Sequence, residues 1–263
     1  MAKTPPYRFE PAPALPGSDR LARPLLAVLR GGLHRFWDLV VHGAEHVPLE
    51  GPAVICPNHL SFCDSLFVPA ALPRRTWAIG KAEYLDDWKT RHLFPAMGMI
   101  PVDRSGGTAA DRALDAATEV LESGRLFMIY PEGTRSRSGQ LHKGRTGAAR
   151  LAHRTGAPII PVGVVGTLDV QPVGSVTLRP FKTVTVSFGA PVHADRFGSP
   201  NDPRLMRKVT DAVMFEIAEM TGQTYVHTYA GNDPKDDETA TMPERRAAAI
   251  RSHPPRATDD RMT

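Results

Sequence analysis

Residues 126–165 read LFMIYPEGTRSRSGQLHKGRTGAARLAHRTGAPIIPVGVV, and the fold class turns on them. Residues 126–130 are an unbroken apolar run ending at Pro131, the mark of a strand buried on both faces. Residues 146–154 read as a helix stopped by Gly156, and residues 159–165 as a second apolar strand. Strand, helix and strand in succession are one unit of a sheet covered by helices. The alternation extends both ways. Upstream, strands are expected at 39–42, 53–56, 77–80 and 99–102, with a turn-rich link over 43–51 and a helix at 65–71. A helix over 108–123 opens on the capping pair Thr108/Asp111 and stops at Gly124. Downstream, 176–178 and 183–188 add antiparallel strands, and 204–220 is a closing helix. The reading is a single α/β domain over 42–229 with a mixed, mostly parallel sheet.

The flanks differ in character. Residues 1–18 are proline-rich and read as an extended arm. Over 19–41, Leu25, Leu26, Leu29, Leu33, Phe36, Trp37 and Val40 share one side of a helix, with Arg30, His34, Arg35 and Asp38 on the other. Such a helix either packs on its own core or lies in a membrane interface with Trp37 and the arginines at headgroup level. Residues 230–263 contain no Leu, Val, Phe, Tyr or Trp and are expected to be a disordered tail.

Composition narrows the function classes. With 263 residues, 41% apolar and 23% charged, the chain is neither wholly disordered, collagenous nor a coiled coil. Cys56 and Cys63 are too few for a disulfide framework and lack zinc-finger spacing. No run of about 18 uncharged apolar residues is present, so no bilayer-spanning helix is expected, and the first residues do not read as a secretory signal. The net charge is +4, and residues 125–154 concentrate seven lysines and arginines against one acid, Glu132. That excess suits an anionic partner.

Four segments carry groups capable of chemistry. In the first, Asn58-His59-Leu60-Ser61-Phe62-Cys63-Asp64, a histidine and an aspartate stand five apart. On an ideal helix that spacing leaves them about 140° apart and out of contact. They meet if His59 lies in a turn and Asp64 in the first helical turn. A carboxylate at Nδ1 then fixes the tautomer and leaves Nε2 as a base. A capping histidine beside a helix-start aspartate accounts for the same pair without chemistry. The second segment, Gly98-Met99-Ile100-Pro101-Val102-Asp103-Arg104, runs a strand into a glycine-bearing loop suited to an anion or to a strand-end salt bridge. The third, Tyr130-Pro131-Glu132-Gly133-Thr134-Arg135-Ser136, offers charge and hydroxyls where Gly133 permits close backbone approach. The fourth, Ile160-Pro161-Val162-Gly163, reads alone as core strand.

In this order, across residues 39–188, the four segments closely resemble the glycerolipid (lysophospholipid) acyltransferase family, which carries N-H-x-S-x-x-D, G-x-I-x-V-D-R, F-P-E-G-T-R-S and V/I-P-V-G blocks. Tyr130 replaces the usual Phe and keeps the aromatic ring. The resemblance implies His59 as general base and Asp64 as its orienter. It implies Arg104, Glu132, Gly133, Thr134 and Arg135, with Lys81 less securely, as ligands of a glycerol phosphate. Pro161 falls in the block that shapes the acyl-donor side. The implied reaction moves a fatty acyl group from acyl-CoA or an acyl-acyl carrier protein to lysophosphatidate, with glycerol 3-phosphate or another lysolipid or glycolipid hydroxyl as alternatives. It needs no metal or other cofactor, and it places a peripheral or monotopic enzyme at the lipid surface on the cytoplasmic side of the cell membrane.

Three rivals compete. His42-Gly43-Ala44-Glu45-His46 matches a zinc-peptidase pattern, H-x-x-E-H, which needs a helix that Gly43 and Pro48 discourage. The basic 125–154 stretch suggests nucleic acid, but it lacks interleaved aromatics after Tyr130 and any binding motif, so no nucleic-acid partner is expected. A catalytically silent membrane-surface protein is the third, and the intact His59/Asp64 pair argues against it.

Overall fold

The computed structural model describes residues 27–28, 30–81, 98–102 and 109–230. In chain order the elements are β1 (Asp38–His42), β2 (Ala53–Pro57), α1 (Asp64–Ala71), β3 (Thr76–Lys81), β4 (Met99–Val102), α2 (Ala109–Glu122) and β5 (Leu126–Met128). Next come β6 (Leu141–His142), α3 (Gly147–Thr155), β7 (Ile159–Val165), α4 (Thr167–Val170), β8 (Thr183–Phe188), α5 (Leu205–Thr221) and β9 (Tyr225–Val226). Seven strands make one sheet in the order β1-β8-β7-β2-β5-β3-β4, and β6 and β9 pair separately. Every neighbouring pair of the large sheet is parallel except β7 and β8, where Val162 faces Phe188. The mixed, mostly parallel sheet read from the sequence is the one observed.

The central strands read as continuous apolar runs because both faces are covered. Side chains alternate between two cores. Val54, Cys56, Phe127 and Ile159 pack with α2, α3 and α5 on one face. Ala53, Ile55, Leu126, Met128, Ile160, Val162 and Val164 pack on the other, with α1 and Leu33. Ends of the parallel strands β2, β5, β3 and β4 therefore lie at one rim, and the loops that leave β2 and β5 meet there.

Some expectations shift. Residues 30–36 are helical, but β1 begins at Asp38, so the helix does not run to residue 41. Leu33 is buried and Trp37 packs edge-on against Phe67, so part of that apolar side serves the core. Leu25, Leu26 and Leu29, like Thr108, Asp103 and Arg104, lie outside the described residues. Residues 176–178 form no strand. Pro172 and Pro180 bracket them, and the place beside β8 is taken by β1, with Asp38 opposite Thr183. Residues 43–51 contain a short 3-10 turn, Ala44–His46, after Gly43 at φ 67. The H-x-x-E-H pattern thus straddles a strand end and a turn, and its histidines do not share a helix face. His46 Nδ1 lies 2.9 Å from the Phe188 carbonyl. Among the described residues no three His, Cys, Asp or Glu side chains converge to hold a metal ion. No described helix is long and apolar enough to cross a membrane.

Candidate active site

The first segment leaves β2 as a buried turn. Asn58 closes it: its Nδ2 donates to the Val164 carbonyl at 3.0 Å, and the Val164 N–H donates to its Oδ1 at 2.7 Å. A side-chain amide bonded this way continues the ladder to β7 one residue past the strand. Asp64 then opens α1. Its Oδ2 accepts from the backbone N–H groups of Leu60 and Ser61, at 2.7 and 2.8 Å, and lies 2.9 Å from His59 Nδ1. This is the turn-to-first-helical-turn geometry that lets a histidine and an aspartate five apart meet. Asp64 is fully buried, and its Oδ1 has no partner among the described residues. A buried carboxylate held in this way draws the proton of His59 to Nδ1 and leaves Nε2 as the acceptor.

His59 is held on every side. Its ring stacks on Tyr130, with centroids 3.7 Å apart and planes 12° apart. Its backbone N–H donates to Glu132 Oε1 at 3.0 Å, and its carbonyl accepts from the Ser136 N–H at 2.7 Å. Tyr130 is anchored in turn by its hydroxyl, 2.9 Å from Ser65 Oγ. Burial pushes the Tyr130 phenol far above its ordinary range, with the Asp64 charge adding to the effect. It stays protonated and acts as a platform.

His59 opens onto a cavity of about 790 Å³. Its polar lining comes from the third segment and from the chain between that segment and α3: Gly133, Thr134, Arg135, Arg145 and Thr146, with Arg150 added from α3 itself. Its apolar lining comes from α1, β3, β4 and α2 and includes Phe62, Leu66, Ile79, Met99 and Leu114. Gly133, at φ 78, is where the chain must be glycine: a Cβ there would come within 2.9 Å of Arg145 Nε.

Of the residues singled out from sequence, His59, Gly133, Thr134 and Arg135 share this cavity, with Asp64 behind His59. Lys81 is the last residue of β3, one past the cavity-lining Gly80. Arg104 lies outside the described residues. Two of them stand apart from the cavity. Glu132 does not reach the cavity: it is fully buried, and its oxygens accept the backbone N–H groups of His59 and, at 2.9 Å, His142. It ties the two loops together. Pro161 does not line the cavity either: it is buried in β7 opposite Cys56, and its carbonyl accepts from the Gly189 N–H. Arg145 and Arg150 were not singled out. The basic excess over 125–154 was their only signal, and it could not say which cations face inward.

The thiols stay out of the chemistry. Burial raises the Cys56 pKa far above the ordinary range, with the Glu132 charge behind it. Burial also raises Cys63, against the Ser61 hydroxyl and helped by Asp64. Neither presents a thiolate nucleophile near neutral pH.

Residues 38–165 match the family model described as Acyltransferase. Over that segment the chain is similar to the acyltransferase family. It is 31% identical over 156 residues to a 1-acyl-sn-glycerol-3-phosphate acyltransferase of Limnanthes douglasii, covering 59% of this chain and 54% of that one. It is 28% identical over 165 residues to the chloroplastic 1-acyl-sn-glycerol-3-phosphate acyltransferase LPAT1 of Arabidopsis thaliana, covering 62% and 46%. The chain spans about half the length of the curated relatives it matches. The crystal structure of the 1-acyl-sn-glycerophosphate acyltransferase PlsC from Thermotoga maritima superposes with a TM-score of 0.62 at 26% identity, covering 76% of this chain and 81% of that one. The likeness of fold thus covers more of the chain than the segment matched by the family model.

Proposed function

We propose that this acyltransferase moves a fatty acyl group from a thioester, acyl-CoA or acyl-acyl carrier protein, to the free hydroxyl of 1-acyl-glycerol 3-phosphate, forming phosphatidate. The observation that carries the reading is His59, fixed by Asp64 at Nδ1, facing a cavity that combines arginines with an extended apolar wall. The names of the relatives point to the same acceptor.

His59 Nε2 accepts the hydroxyl proton as the hydroxyl oxygen attacks the thioester carbonyl. The C–S bond breaks, the imidazolium returns the proton to the departing thiolate, and an ester and a thiol leave. A thioester is already activated, so this chemistry needs no covalent enzyme intermediate. Acid–base catalysis by a positioned side chain supplies about 10²–10⁴-fold, and orientation and charge stabilisation supply the rest. Arg135 and Arg145 bind the acceptor phosphate, and Lys81 and Arg104 join them by the family's pattern. Arg suits a phosphate because its planar fork donates two parallel bonds. The acyl chain lies along the Phe62, Leu66, Ile79 and Met99 wall. The enzyme works on a lipid surface at the cytoplasmic face of the membrane, aided by residues 19–41.

Replacing Arg135 with Gln separates binding from chemistry. The KM for lysophosphatidate is expected to rise by about ten- to a hundredfold, the worth of one charged hydrogen bond, with kcat changed far less. Steady-state kinetics at varied acceptor concentration read this. An unchanged KM would remove Arg135 from the phosphate site.

A further inference from the structure

Residues 171–182 (QPVGSVTLRPFK) join α4 to β8 as a loop that turns large apolar side chains outward. Val176 is 92% exposed and Phe181 76%, with Val173 and Leu178 exposed beside them in sequence. The segment holds Arg179 and Lys182 and no acid. Phe181 adopts φ 59, a left-handed backbone that a bulky residue rarely takes. The loop is nonetheless built. The Phe181 N–H donates to the Phe36 carbonyl at 2.7 Å, Trp37 Nε1 donates to the Arg179 carbonyl at 2.8 Å, and the Arg179 N–H donates to the Val170 carbonyl at 2.8 Å. Phe36, itself exposed, and Arg35 thereby join the same surface. Gln171 fastens the loop to the catalytic turn: its Oε1 accepts from Ser61 Oγ at 2.8 Å, and its Nε2 donates to the Ser175 carbonyl at 3.1 Å.

Fixed apolar side chains that face water, ringed by cations and backed by a tryptophan, have the composition of a membrane-interface contact. We infer that residues 171–182, with Phe36, dock the protein on an anionic lipid bilayer, inserting Val176 and Phe181 among the headgroups and setting Arg35, Arg179 and Lys182 against their charge. The lipid acceptor proposed above supplies the reason for docking. Docking itself needs no substrate, so its failure and the failure of the acyl-transfer reading are separately visible. Gln171 holds both this loop and Ser61, two residues from His59 in sequence, so the surface that meets the bilayer is tied to the turn that carries His59.

The test is co-sedimentation of the full chain, without substrates, with vesicles of phosphatidylcholine and phosphatidylglycerol in equal parts and of phosphatidylcholine alone. Phe181→Gly keeps the fold, since glycine accepts the left-handed backbone, while removing the ring. Combined with Val176→Ser it should weaken partitioning by about tenfold or more, with thermal unfolding unimpaired. Arg179→Gln with Lys182→Gln should weaken binding to the anionic vesicles by roughly tenfold or more and leave the neutral ones unaffected. Phe215, also exposed but on α5 across the sheet, is the control, and Phe215→Ser should bind as the parent does. The inference is overturned if the parent ignores anionic vesicles, if the Val176/Phe181 variant binds like the parent, or if Phe215→Ser loses as much. It is also overturned if the variant binds vesicles normally but differs from the parent in oligomeric state on size exclusion, which would make the patch an interface between copies.

Discussion

Glu132 shows how a residue in a functional block can act without touching the chemistry. Its carboxylate is buried and accepts from the N–H groups of His59 and His142, so it fixes where His59 sits relative to the 133–135 turn. Glu132→Ala would leave two buried donors unsatisfied, at about 1–3 kcal/mol each. The expected result is a loss of about 2–6 kcal/mol in urea unfolding, whereas a pure substrate ligand would change KM and leave stability intact. Tyr130 is a second such case. Its pKa is raised above the ordinary 10.0 by burial first and by the Asp64 charge second. Below about pH 10 the phenol is neutral folded and unfolded. Above it the unfolded chain ionises first, so this contribution to stability is lost as pH rises. Tyr130→Phe should therefore lose less stability than the parent on passing above about pH 10, measured by urea unfolding at several alkaline pH values. Equal slopes would contradict the assignment. The His59/Asp64 contact was legible because it depends on local events, a strand end, a turn and a helix start. The inward orientation of Glu132 was not, since it is set by His142 on β6.

At the scale of elements, the turn after β5 decides how the cations face the base. Gly133 sits at φ 78 with Arg145 Nε in the space a Cβ would fill. Gly133→Ala should strain the turn and push Arg145 aside, raising the acceptor KM several-fold while the near-ultraviolet circular dichroism of the core stays native. If KM and kcat both match the parent, the turn does not set the cation geometry. The strands and helices were readable from periodicity wherever burial is two-sided, as in β2, β5 and β7. Residues 176–178 misled because alternating apolar residues also suit an exposed loop, and only the long-range pairing of β1 with β8 shows that no ladder position is left for them.

At the scale of the whole molecule, the parallel strands aim their ends at one rim, so segments far apart in sequence bring His59, backed by Asp64, and several arginines to one cavity. The strand order was not legible: nothing local tells β8 to run antiparallel to β7 and parallel to β1. That order places the 171–182 loop beside Trp37 and joins it to Ser61. The central claim is that His59 carries acyl transfer to a lysophosphatidate hydroxyl. Its most direct test is mass spectrometry of the products formed by purified protein from a long-chain acyl-CoA, with an acyl carrier protein donor in parallel and lysophosphatidate and glycerol 3-phosphate in competition, beside His59→Ala. Phosphatidate formed by the parent, and reduced by about 10²-fold or more in a folded His59→Ala protein, is the predicted result. Undiminished phosphatidate from His59→Ala, or no acyl transfer to lysophosphatidate from either donor, would contradict it.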